Sequence, residues 1–103
     1  MKYFTSLLCI LILSACSSET AVDKHKEKTG KELFQKNCVI CHGSDGKLGF
    51  NGAKDLSKSV LTQEERIIQI TNGKNLMSPF KGILTEKEIR AVAKFTESLK
   101  TSN

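Results

Sequence analysis

The run Cys38-Val39-Ile40-Cys41-His42 constrains this chain more than any other feature. It sets two thiols three residues apart and puts an imidazole directly behind the second. Few chemistries use those three groups in that order, and each demands a different fold around them. Only 103 residues are available, which allows one domain at most. They include one Tyr, five Phe and no Trp, so the core is thin. A domain this small often needs a staple to reach useful stability.

Four cysteines are present, and each has a separate reading. Cys9 lies in an apolar N-terminal run and Cys16 just behind it, which leaves Cys38 and Cys41 for the chemistry of the domain. A thioredoxin-like dithiol would need a βαβ setting, and no strand-like alternation of any length is present. A structural zinc site needs four ligands. Beyond Cys38, Cys41 and His42, only His25 remains, in a polar stretch well upstream. The reading that fits is covalent haem attachment. Two thiols add across the haem vinyl groups, and the adjacent His42 turns an imidazole nitrogen toward the iron. A covalent haem would also supply the large apolar body that the thin core lacks.

The first fifteen residues read as an export signal. Lys2 gives a positive n-region, residues 7–13 are unbroken apolar, and Ser14-Ala15 are small residues ahead of Cys16. The apolar run is well short of the ~20 residues that cross a bilayer as a helix. Leu13-Ser14-Ala15-Cys16 resembles the lipobox of bacterial lipoproteins. The resemblance implies cleavage before Cys16 and a lipid on its sulfur. Residues 1–15 are then the signal peptide, 16–28 a lipidated tether and 29–103 the domain. Cleavage removes Lys2 alone among the charged residues, so the formal charge of +5 falls by one. A charge that modest does not point to nucleic acid. The tether is polar, with Val22 its only large apolar residue, and cannot bury enough surface to order itself.

Three capping boxes punctuate the rest: Thr29/Glu32, Thr62/Glu65 and Thr85/Glu88. The first opens a helix from about Lys31 to Cys38 or slightly beyond, with Leu33, Phe34, Cys38 and Cys41 on one face. The second opens a short helix through Ile67, Ile68 and Ile70, stopped by Asn72-Gly73. The third opens a last helix from about Glu86 to Leu99, striped by Ile89, Val92, Phe95 and Leu99, with Leu84 and Ile89 placed as a hydrophobic staple. Between the first two, Gly43, Gly46, Gly49 and Gly52 forbid a regular helix and mark a loop. The expectation is an all-α domain of three main helices with long loops.

Met1 leaves with the signal, so Met77 is the only methionine of the mature chain. It lies in a loop between Gly73 and Pro79, an odd place for a core filler. A thioether is a soft iron ligand that raises the reduction potential. His25 is the competing sixth ligand, but a histidine in a polar tether is expected to be solvated.

These features together resemble the small class I bacterial cytochromes c, over residues 29–99. The resemblance rests on Gly30 and Phe34 in the first helix, Cys38-Val39-Ile40-Cys41-His42, the Met77 loop with Pro79, and Phe95 in the last helix. It implies that the first and last helices cross near a right angle at Gly30, with Phe34 and Phe95 beside the crossing. It implies thioethers at Cys38 and Cys41, and His42 and Met77 as the axial ligands of one haem c. Two departures stand out. Ser78 separates Met77 from Pro79, and residues 52–56 contain no proline where the family carries one whose carbonyl orients the ligand histidine. The carbonyl that orients His42 is left open.

The resemblance implies a monomeric one-electron carrier, not an enzyme. Its partners would be redox proteins, such as membrane respiratory complexes or a terminal oxidase or reductase. It would be exported and held on the extracytoplasmic side of a membrane by the lipid on Cys16. Lys47, Lys54, Lys58, Lys74 and Lys81 lie in loops expected to frame the haem, where they would steer an acidic partner or simply solubilise the surface. The alternative functions are a haem-based sensor or peroxidase-like protein with a weak or absent sixth ligand, and a docking subunit of a larger complex.

Overall fold

The computed structural model describes residues 26–101. The expected signal peptide, Cys16 and His25 lie outside the described residues. Four α-helices follow in chain order: α1 Gly30–Asn37, α2 Val39–His42, α3 Gln63–Asn72 and α4 Glu86–Ser98. Single 3-10 turns at Phe50–Gly52 and Leu56–Lys58 interrupt the long loop between α2 and α3. Among the described residues no strand forms, only isolated bridges at Lys74–Met77 and Lys81–Leu84.

All three capping boxes form in full. The amides of Glu32, Glu65 and Glu88 donate to the Thr29, Thr62 and Thr85 hydroxyls at 3.2, 3.2 and 3.1 Å. In return the glutamate carboxylates accept from the threonine amides at 2.8, 2.7 and 3.0 Å. Each box occupies two amides that a helix start leaves without an intrahelical partner.

The first helix differs from expectation at its end. Cys38 adopts φ −119°, ψ −26°, which breaks the helix after Asn37 and lets a separate turn, α2, carry Cys41 and His42. The two cysteines therefore do not share one continuous helix face.

Leu33 and Phe34 of α1, Ile70 of α3 and Ile89, Val92 and Ala93 of α4 form the buried core. α1 lies directly against α4. A Cβ at Gly30 would stand 2.1 Å from the Ala91 carbonyl oxygen, so only glycine permits this approach. Phe34 and Phe95 pack beside it, with ring centroids 5.1 Å apart and planes tilted by 54°. α3 also packs against α4, and the Thr101 amide donates to the Ser57 carbonyl at 3.1 Å, tying the segment after α4 to the second 3-10 turn. Leu84 and Ile89 both join the core, as the staple requires.

Candidate haem-attachment site

The short helix α2 is held from both ends. The His42 amide donates to the Cys38 carbonyl at 3.0 Å, and the Gly43 amide to Val39 at 2.8 Å. Cys38 and Cys41 are free thiols, both half-buried, one on each side of exposed Ile40. Burial, with the neighbouring Cys41 a smaller contribution, pushes the Cys38 thiol up to about 11. A redox-active dithiol works the other way, by a depressed thiol that is ionised near neutral pH. Cys38 itself is thus little ionised near neutral pH.

His42 is oriented by the main chain. Its Nδ1 lies 3.1 Å from the Lys54 carbonyl oxygen. A carbonyl can only accept, so Nδ1 carries a proton, and in the neutral ring Nε2 then presents its lone pair. The Lys54 carbonyl occupies the role for which no proline is available. It is fixed in turn by the next residue. The Asp55 carboxylate accepts from the Ser57 amide at 2.9 Å and from the Ser57 hydroxyl, capping the second 3-10 turn. Those bonds, the hydroxyl's above all, hold the Asp55 carboxyl below its ordinary value. The intervening loop is closed by the Leu48 amide on the His42 carbonyl at 3.0 Å and the Leu56 amide on Gly46 at 2.9 Å.

Met77 sits half-buried against the core, at the far end of a tight turn. Its amide donates to Lys74 at 2.9 Å and its carbonyl accepts from Lys74 at 3.1 Å. The Phe80 and Lys81 amides then donate to the Ile70 and Thr71 carbonyls at 3.0 and 3.1 Å, clamping the loop to the end of α3. Gly73 makes the turn possible. It has φ 70°, ψ 176°, a region essentially restricted to glycine.

The donor set fits a covalent porphyrin: two thiols flanking one turn, an imidazole with its Nε2 free, and a thioether on an independently pinned loop. Leu48, Phe50 and Leu76, in the segments next to these groups, expose 59%, 53% and 77% of their surface, an apolar rim of the kind that a large ring would cover.

Comparison with known proteins decides the family. The family described as cytochrome c oxidase, cbb3-type, subunit III matches residues 25–95. The chain is a small class I c-type cytochrome. It is similar to cytochrome c6 of Leptolyngbya boryana, 43% identical over 70 residues, 62% of this chain and 81% of that protein. Cytochrome c6 of Thermosynechococcus vestitus is 34% identical over 100 residues, 91% and 88% of the two chains. Among solved structures, the KustC0563 c-type cytochrome superposes with a TM-score of 0.66 at 29% identity, over 72% of this chain and all of the other. As a cytochrome of this class the protein carries one covalent haem c and is an electron carrier, not an enzyme. Its helical architecture is that of the class, with α2 as the turn that bears Cys41 and His42.

Sequence reasoning missed two residues of this domain. The Lys54 carbonyl is a main-chain atom and has no side-chain signature, although Asp55-Leu56-Ser57 spells the turn that fixes it. Arg66 reads as a polar residue of α3, yet it is 3% exposed. Its place one turn before Ile70, on the buried side of the helix, was the available signal.

Proposed function

We propose that this cytochrome holds its haem through thioethers at Cys38 and Cys41, with His42 and Met77 as axial ligands, and passes single electrons between redox proteins. The observation that carries the reading is the bond from His42 Nδ1–H to the Lys54 carbonyl, because it fixes the ring and leaves Nε2 of the neutral imidazole as the donor. When bound, the iron porphyrin supplies the one-electron couple. The chain's own task is to keep His42 and Met77 still. Main-chain bonds at 42, 48, 54, 56, 74, 77, 80 and 81 serve that purpose. A closed, six-coordinate site leaves no position for substrate. The exposed lysines Lys47, Lys54, Lys58, Lys74 and Lys81 favour a transient encounter with an acidic redox partner, such as a respiratory complex or a terminal oxidase or reductase.

The test is carbon monoxide binding by the reduced protein, together with the sulfur-to-iron charge-transfer band of the oxidised form. Slow or absent binding with the band present is expected. Rapid binding at neutral pH without the band would overturn the Met77 assignment in favour of a sensor or peroxidase-like site.

The mature domain is proposed to be exported and tethered by a lipid on Cys16. The apolar run ahead of that cysteine supports this, and among the described residues no helix is long and apolar enough to cross a membrane. Cys16→Ser is expected to release the protein from the membrane fraction or block its processing. A variant that fractionates and migrates like the parent sinks the anchor.

A further inference from the structure

Arg66 is a buried cation with no carboxylate partner among the described residues. Only 3% of it is exposed. Its Nε donates to the Leu61 carbonyl at 3.1 Å, Nη1 to the Thr96 hydroxyl at 3.1 Å and Nη2 to the Ser59 carbonyl at 3.4 Å. All three acceptors are neutral. Among the described residues, the ion pairs are Lys87–Glu27 and Arg90–Glu64, and neither involves Arg66. The carboxylates nearest in sequence are committed elsewhere: Glu64 to Arg90, and Glu65 to the Thr62 amide.

The placement runs against two local rules. Buried charges are usually paired, and a guanidinium does not shed its proton to escape the cost. The side chain also reaches back to the carbonyls just ahead of α3, the helix end where the dipole disfavours a cation. A structural clamp for the segment 59–61 needs donors but not a full charge.

We propose that Arg66 raises the reduction potential of this cytochrome through its uncompensated charge. Oxidation adds one positive charge within the same small domain. A fixed cation there disfavours the oxidised state, and low local dielectric keeps the effect from being screened away. The guanidinium's hydrogen bonds all go to protein groups, so the effect is one through space and not of ligation. The inference rests on the haem reading of the family and is independent of which residue is the sixth ligand.

The test compares midpoint potentials of holoprotein variants by optical redox titration. Arg66→Gln removes the charge and is expected to lower the potential. Arg66→Lys keeps the charge but loses the fork, and is expected to stay closer to the parent while losing stability. A second pair leaves Arg66 in place: Thr96→Asp supplies a carboxylate where the hydroxyl now accepts, and Thr96→Asn does not. Thr96→Asp is expected to have the lower potential of the two, which keeps the proposal testable where Arg66→Gln does not fold. Denaturation of both oxidation states gives an independent reading. The stability advantage of the reduced over the oxidised protein must shrink in Arg66→Gln by the free-energy equivalent of its potential shift. Equal shifts in Arg66→Gln and Arg66→Lys, or no difference between the two Thr96 variants, overturn the proposal and leave Arg66 a clamp. Failure to recover haem-bearing parent protein would instead strike the haem reading itself.

Discussion

Gly73→Ala is the substitution that most directly questions how the Met77 loop is held. Two costs fall on one added methyl. Alanine must adopt φ 70°, ψ 176°, a strain of about 1–3 kcal/mol. Its Cβ would also lie 2.4 Å from the Met77 carbonyl oxygen, 2.8 Å from Pro79 N and 2.9 Å from Ser78 C. These are backbone atoms and cannot swing aside as a flexible side chain would. To reach even 3.0 Å, the Met77 carbonyl must withdraw by 0.6 Å. Overpacking of this kind costs about 1–3 kcal/mol more. The relief available is to let the Met77 end of the loop swing off, since the clash is with its own backbone. If about 2 kcal/mol is shed that way, the population with Met77 displaced rises roughly thirtyfold. The assay is threefold: the charge-transfer band of the oxidised protein, carbon monoxide binding by the reduced one, and the denaturant midpoint. The band should weaken, carbon monoxide should bind faster, and the midpoint should fall. Gly82→Ala separates the two costs. Gly82 also has a positive φ of 80°, but a Cβ there meets nothing within 4 Å. It should lose a little stability and keep the band. A Gly73→Ala protein matching the parent in all three assays, or a Gly82→Ala protein equally impaired, would refute the steric argument.

Other perturbations have equally definite outcomes. Gly30→Ala forces a Cβ to 2.1 Å from the Ala91 carbonyl oxygen and 3.2 Å from Phe95 Cβ, prising α1 from α4. A loss of about 3 kcal/mol or more is expected in denaturant unfolding, with haem incorporation reduced in cells. Acid should weaken the fold through its caps. Backbone hydrogen bonds from Thr29, Thr62 and Thr85 are the main reason that Glu32, Glu65 and Glu88 lie below their ordinary 4.5, and the Ser57 bonds lower Asp55 from 3.8. A depressed carboxyl contributes stability above its unfolded value and loses it as pH falls through the folded one. The urea midpoint should therefore be level across mildly acidic pH and decline below about 4.5, more shallowly in Glu88→Gln. A midpoint that rises on acidification would contradict the sign.

The parts of this fold that could be read in advance are those whose causes are local. A threonine and a glutamate three residues apart cap their own helix wherever it lies, so the starts of α1, α3 and α4 were legible to within a residue. The same holds for the stripe that buries Ile89 and Val92. Expectation failed where the decisive partner is distant or has no side-chain identity. The break at Cys38 follows from a backbone rotation that no residue type announces. For α3 the sequence marks Ile67, Ile68 and Ile70 without choosing a buried face; Ile68 leaves 58% of its surface exposed while Ile70 is buried, because tertiary packing on α4 chooses the face. Arg66 was overlooked because charge normally means surface, and here it does not.

The candidate ligands come from separate segments of the chain, and each is immobilised mainly by peptide groups. His42 answers to the carbonyl of Lys54, and Met77 to the amides and carbonyls of residues 73–81. Peptide groups are the same in every sequence, so this scaffold tolerates extensive side-chain replacement. That accounts for a shared fold with the KustC0563 cytochrome at 29% identity. It also confines vulnerability to positions where a side chain, or its absence, shapes the backbone itself. Gly73 shapes the methionine loop, Asp55 with Ser57 shapes the turn behind the histidine, and Gly30 shapes the crossing on which α1 and α4 rest. An electron carrier benefits from this division. Its iron ligands must keep their places when the charge at the centre changes, and groups held by the main chain have little freedom to follow it.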